Sequence, residues 1–198
     1  MEFQEVVRRR RMVRNYDPSR PVPVEIRDRL LANALRAPSA GFSQGWAFLV
    51  LESATDRARY WGATVTSTEP DPWLRDMMNA PLLIVPLSHK QAYLDRYAAA
   101  DKGWTDKDET RWPVPYWDID TGFAALLMLL TAVDADLGAC FFGVPVERMS
   151  AFRTEFGVPE EYTPIGCVSV GYRAPDRRSP SLRRGHRPID DVVHHGSW

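Results

Sequence analysis

Residues 8–16 read Arg8-Arg9-Arg10-Arg11-Met12-Val13-Arg14-Asn15-Tyr16. Five arginines fall within seven residues, in a chain of 198 whose formal net charge is −1. The pattern predicts a helix over residues 2–14. Phe3, Val7, Arg10 and Arg14 then recur at helical spacing and share one face. Phe3 and Val7 should turn that face toward a core. An arginine that continues an apolar stripe needs an anion, because an unpaired buried charge is too costly to keep. Arg10 and Arg14 are therefore candidates for holding a bound anion such as a phosphate. The competing reading has their heads snorkelling to solvent or pairing with carboxylates.

The rest of the chain bounds what such a stretch can serve. A hydrophobic fraction of 44% is enough to fill a core, and no linker or internal repeat divides the sequence. Near-neutral charge argues against a general nucleic-acid binder. Basic residues nevertheless gather at both ends, over 8–14 and again over 173–187, which suggests convergence on one local anion. Cys140 and Cys167 form no CxxC and lie in apolar runs, as buried thiols of a reducing compartment do. The start, Met-Glu-Phe-Gln-Glu, lacks the apolar stretch of a signal peptide. The most apolar run, 121–133, is shorter than the roughly 20 residues that span a bilayer. A cytoplasmic protein with no membrane partner is expected.

Helices are predicted over 24–37, 55–63, 73–79, 88–100, 117–137 and 145–156. Buried strands are predicted over 46–51, 81–87 and 165–172, with a short apolar segment at 139–144. Pro38 ends the second helix. Gly138 is expected to stop the long apolar helix in a left-handed conformation. Three or four strands among about six helices, without steady alternation, give the class α+β. Residues 101–117 carry Trp104, Trp112 and Trp117 among charges and prolines, and read as a lid or as an excursion that packs down. Residues 173–198 read as an extended arm.

Gly41-Phe42-Ser43-Gln44-Gly45 fits G-x-S-x-G by letter. A nucleophile elbow needs a strand before it and a helix after, and here the order is reversed. His194-His195 has no further ligand at metal-binding spacing. No dinucleotide or P-loop glycine motif is present. With no catalytic side-chain set, an enzyme of this sequence would rely on a cofactor for reactivity.

Several blocks together resemble the FMN-dependent nitroreductase family. Residues 10–16 resemble its R-R-S-x-R-x-F motif. Residues 37–46 resemble A-P-S-x-x-N-x-Q-P-W, and Ala80-Pro81-Leu82-Leu83-Ile84-Val85 resembles A-P-x-x-I-V. The apolar helix running into 138–143 resembles the family's central helix and following loop. Residues 185–193 resemble its R-x-P-x-x-E-V-V ending. The blocks keep the family's order over nearly the whole chain.

The resemblance implies a mixed sheet flanked by helices, with a long central helix and a C-terminal arm, in one FMN-binding domain over 1–198. It implies a homodimer with FMN at the interface, reduced by NADH or NADPH in a ping-pong cycle that ends on a nitroaromatic, a quinone or a related electrophile. A protein that stores or sequesters flavin, dehalogenates, or remodels flavin is the alternative within the same fold. Carried over by position, Arg10, Arg11, Met12 (through its backbone) and Arg14 would contact the phosphate, the ribityl chain or the N1–C2=O edge. Pro38, Ser39, Ala40 and Gln44 would lie near the flavin from the partner chain. Cys140, Phe141, Phe142 and Gly143 would pass along the ring, and Arg187 would complete the phosphate site. Phe42, Trp112, Tyr116 and Trp117 could wall the substrate side, or the tryptophans and tyrosine could be core. Met12, Phe42 and Gly45 depart from the family's usual serine, asparagine and proline.

Overall fold

The structure is a computed structural model that describes residues 1–67, 69–176 and 179–198. Thr68 of the expected 66–72 loop, and Arg177 and Arg178 of the expected arm, lie outside the described residues. Among the described residues, seven helices run in chain order: α1 (Phe3–Arg9), α2 (Val24–Ala34), α3 (Ala54–Thr64), α4 (Pro72–Met78), α5 (Lys90–Ala98), α6 (Tyr116–Asp134) and α7 (Met149–Phe156). Five strands join them: β1 (Trp46–Leu51), β2 (Leu82–His89), β3 (Gly138–Phe142), β4 (Tyr162–Pro164) and β5 (Cys167–Gly171). The class is α+β, as expected.

The sheet runs β1-β2-β5-β3, with β4 added to the far end of β2. Every named ladder is antiparallel, and parallel pairing enters only at an isolated Met12–Ala139 bridge. Side-chain alternation in β2 sorts the core into two layers. Leu82 and Ile84 face α2 and α6, with Leu30, Ala34, Ala124 and Met128. Leu83, Val85 and Leu87 face the other way, onto Tyr60 and Trp61 of α3 and Phe152 of α7. A sheet buried on both faces explains why β2 reads as one continuous apolar run. By contrast, β1 is mostly half-buried, with only Leu51 fully covered.

Local chemistry sets several boundaries. The Ser53 hydroxyl caps α3 by accepting from Asp56 N–H at 3.0 Å. Asp71 caps α4 through Leu74 N–H at 2.8 Å, with Pro72 at the first helical position. Gly157 closes α7 with φ 61.

Three expectations need correction. The first helix does not reach Arg14. It ends at Arg9, Arg10 has extended backbone, and Phe3 and Val7 are exposed whereas Val6 is buried. What stops it is pairing across the sheet edge, because Val13 N–H donates to the Ala139 carbonyl at 2.9 Å. Secondly, Gly138 does not cap α6. The left-handed residue is Asp136 (φ 59), and Gly138 opens β3, where the Val13 side chain leaves no room for a Cβ. Thirdly, β4 had no counterpart in the predicted strands. The long helix expected over 117–137 is α6, which ends three residues earlier, at Asp134. Its 19 residues are long and apolar enough to cross a membrane by that measure, although half of the span is buried inside the fold.

Candidate functional site

Residues 10–17 form an extended segment stitched on both sides. Toward β3 it makes the Met12–Ala139 bridge and the Val13 bond. On the other side it pairs with the segment leaving β5. Tyr16 bridges Arg173, and Asp17 N–H donates to the Tyr172 carbonyl at 2.9 Å. Tyr16 anchors it from below. Its buried hydroxyl lies 2.7 Å from the Val13 carbonyl and 2.8 Å from Ser169 Oγ. Burial raises the Tyr16 pKa far above its usual value, so the hydroxyl stays neutral.

Val13 and Tyr16 therefore point inward, and the arginines flank them. Arg10 makes no ion pair among the described residues. Arg14 Nη1 donates to the Met12 carbonyl at 3.1 Å, and its side chain meets no carboxylate among the described residues. Arg11 reaches only to 4.0 Å of Asp176. The Asp176 side chain is 5% exposed, and it also accepts from Arg14 N–H at 3.1 Å. Of the second basic cluster, Arg173 lies beside Arg9 and Arg11 of the first. Arg173 donates to the Leu137 carbonyl at 3.0 Å, and its buried Nε has no acceptor among the described residues. Its pKa is lowered by burial and then by Arg11 and Arg9. The bridge to Tyr16 was the missing information, and nothing in the local sequence announces it. Arg187 lies on the exposed tail and donates to the Asp191 carbonyl at 2.8 Å.

Met12 sends its thioether toward β3, where Phe141 N–H lies 3.5 Å from Sδ. Cys140 is buried, and its thiol pKa is pushed up to about 11 by burial, with Arg14 pulling the other way. Cys167 is pushed to about 12. Neither is a ready nucleophile at neutral pH. Phe142 leaves the strand to stack near Trp61, with centroids 5.8 Å apart and planes 7° apart. Two cavities meet beside it. One, about 390 Å³, is lined by Arg14, Asp76, Asp176 and Ser179; the other, about 350 Å³, by Trp61, Phe142 and Gly143. Asp71 and Trp73 line both.

The 38–45 turn lies on the other side of α6's first turns. Ala40 N–H donates to Asp120 Oδ2 at 2.8 Å, and the Tyr93 hydroxyl donates to the same oxygen at 2.8 Å. Ser39 Oγ accepts from Gln44 N–H at 3.0 Å. Gly41, Phe42 and Gln44 all have positive φ. A Cβ on Gly45 would come within 2.5 Å of the Tyr93 ring, which explains why no proline stands there. Phe42 projects at 73% exposure. Trp112 sits at the centre of an aromatic cluster. It packs against Tyr93, Tyr97, Trp104, Tyr116 and Trp117, so the 101–117 segment closes on itself.

Known proteins resemble this chain in sequence and in fold. A protein of Methanothermobacter thermautotrophicus, provisionally named NADH dehydrogenase/NAD(P)H nitroreductase, is 27% identical over all of this chain and 88% of its own length. A Clostridium acetobutylicum crystal structure, provisionally an NADH oxidase, is 30% identical over 91% of this chain and 97% of that one, with a TM-score of 0.63. An Exiguobacterium sibiricum structure, provisionally a nitroreductase in complex with FMN, shares the fold at TM-score 0.75 and 20% identity, covering 98% and 97% of the two chains. The family model described as the nitroreductase family matches residues 7–172, so the chain belongs to the nitroreductase family of oxidoreductases.

Proposed function

We propose that this protein is an FMN-dependent oxidoreductase that draws electrons from NADH or NADPH and reduces nitroaromatics, quinones or related electrophiles. The observation that carries the reading is the strand of arginines beside the end of β3. Arg10 and Arg14 carry guanidinium groups without carboxylate partners among the described residues, and Arg173 adds an orphaned buried Nε. That donor set fits a phosphate and a carbonyl edge, which guanidinium forks bind well. FMN, once bound, supplies the redox chemistry, taking a hydride from the nicotinamide and passing the electrons on in a ping-pong cycle.

The chain's own residues bind and orient. Arg10 and Arg11 would hold the phosphate end, and Arg14 the N1–C2=O edge, where a fixed cation favours added negative charge. Met12 would serve through its backbone, and Cys140 to Gly143 would border the ring. Arg187 would reach the phosphate from the arm. The 38–45 turn of each chain would close the other chain's site through Pro38, Ser39, Ala40 and Gln44, with Phe42 facing the substrate.

Such an arrangement needs a homodimer. The outer face of α6 supports one: Tyr116, Ile119, Phe123 and Leu126 are exposed there, and Phe3 and Val7 are exposed on α1, which packs against α6. Apolar side chains grouped in this way mark an interface. The free buried thiols support a reducing compartment, which we take to be the cytoplasm. The test is anaerobic mixing of the flavin-loaded protein with NADH or NADPH. Loss of the oxidised flavin's visible absorption band is expected. A band that persists with both donors would reject the reductase and leave a flavin-sequestering protein.

A further inference from the structure

We propose that the cavity between α3, α4 and the end of β3 is the acceptor chamber, and that it selects by charge, taking neutral or cationic planar aromatics and disfavouring anionic ones. The inference rests on the functional reading above and adds the acceptor's location and class.

The chamber holds about 350 Å³, the scale of small-molecule sites. Its walls are aromatic. Trp61 and Phe142 are nearly coplanar in orientation, and Trp73 stands edge-on to Phe142 at 85° with centroids 6.2 Å apart. Trp61 and Phe142 stack on each other, and with Trp73 they line the chamber with aromatic surface that suits an aromatic guest. Trp112 and its neighbours instead pack their rings against one another.

The charge on the rim has one sign. Among the described residues that line it, Glu69 and Asp71 are the only ionisable groups besides Tyr60, and none is a lysine, arginine or histidine. Asp71 is fixed by its capping bond to Leu74 N–H. Glu69 makes no ion pair among the described residues. Arg75 and Arg148 flank the same loop, but they donate to the Pro70 and Val65 carbonyls and do not line the cavity. The adjoining cavity differs in carrying a cation, Arg14, beside Asp71, Asp76 and Asp176. Trp73 and Asp71 stand on the boundary between the two cavities.

The experiment uses the flavin-loaded enzyme and three acceptors with the same ring and nitro group: para-nitrobenzamide, para-nitrobenzoate and a para-nitrobenzyl trimethylammonium salt. At low salt, kcat/KM for the anion should fall about five- to tenfold below the neutral compound, carried by KM, with the cation equal to or better than the neutral one. Glu69→Gln should at least halve the anion's disadvantage, and so should high salt, because exposed charges are screened. Equal kcat/KM for anion and neutral compound, with the wild-type flavin reduced normally, overturns this inference alone. Flavin lost from Trp73→Ala assigns the chamber to the cofactor and also overturns it. A wild-type flavin that neither nicotinamide reduces brings down the functional reading and this one together.

Discussion

At the scale of single residues, backbone conformation and side-chain identity disagree at Phe42. Its φ is 56, a left-handed value that asparagine tolerates and phenylalanine does not, and its ring is 73% exposed. Phe42→Asn loses little burial and relieves the conformation. It should raise stability by about 0.5–1 kcal/mol, read from urea midpoints at fixed protomer concentration. A loss of stability would show that the ring is covered by something the single chain lacks. Arg14 tests the anion reading at the same scale. Arg14→Ala should weaken FMN binding by about 1.5–3 kcal/mol in a flavin fluorescence titration, the worth of a charge-assisted hydrogen bond. Unchanged retention rejects its assignment. The importance of this stretch was legible in the sequence, but its geometry was not. Arginine and methionine are good helix formers, so residues 8–14 look helical by propensity. The extended backbone comes from β3 and from Ser169, a partner 153 positions from Tyr16. Local pattern carries no trace of such a contact.

At the scale of elements, the long helix and the core strands were readable because their periodicity is strong and their core is continuous. Boundaries set by distant partners were not. Asp136, rather than Gly138, takes the left-handed position, because Val13 already claims the space over Gly138. The aromatic segment had two readings, and packing decides between them, with Trp112 at the hub of a ring cluster. That cluster braces the 38–45 turn through Tyr97 under Gly41 and Tyr93 under Gly45. The join is Asp120, 3% exposed, which accepts from both Tyr93 and Ala40 N–H. The Tyr93 pKa is raised by burial and by the Asp120 carboxylate, so the phenol remains a donor at any working pH. Asp120→Ala strands the buried Tyr93 hydroxyl and the part-buried Ala40 N–H. It should cost about 2–4 kcal/mol in urea unfolding, and Tyr93→Phe less, since only one bond is lost and the acceptor keeps Ala40. Equal effects would mean that the Ala40 bond contributes nothing.

At the scale of the whole molecule, the exposed faces of α1 and α6 raise the question of what covers them. A helix that buries Ala124, Met128 and Ala132 inward while leaving Ile119, Phe123 and Leu126 in water is apolar on nearly every side. Such a helix suits a place between two cores, and in the proposed homodimer a second copy of the chain would supply the second core by two-fold symmetry. Phe123 is the position to test. It is 43% exposed, so replacing it leaves the protomer's own packing nearly intact, whereas a carboxylate placed in a paired interface would be desolvated against its symmetry mate. Phe123→Glu should therefore sediment as a monomer under conditions where the wild type is a dimer, and its far-ultraviolet circular dichroism should be unchanged. Because the 38–45 turn is proposed to close the partner's flavin site, the monomer should also lose FMN on gel filtration. A variant that stays dimeric moves the interface off α6. One that becomes monomeric yet keeps its flavin puts every ligand of the cofactor on a single chain and removes the role assigned to Pro38, Ser39 and Ala40.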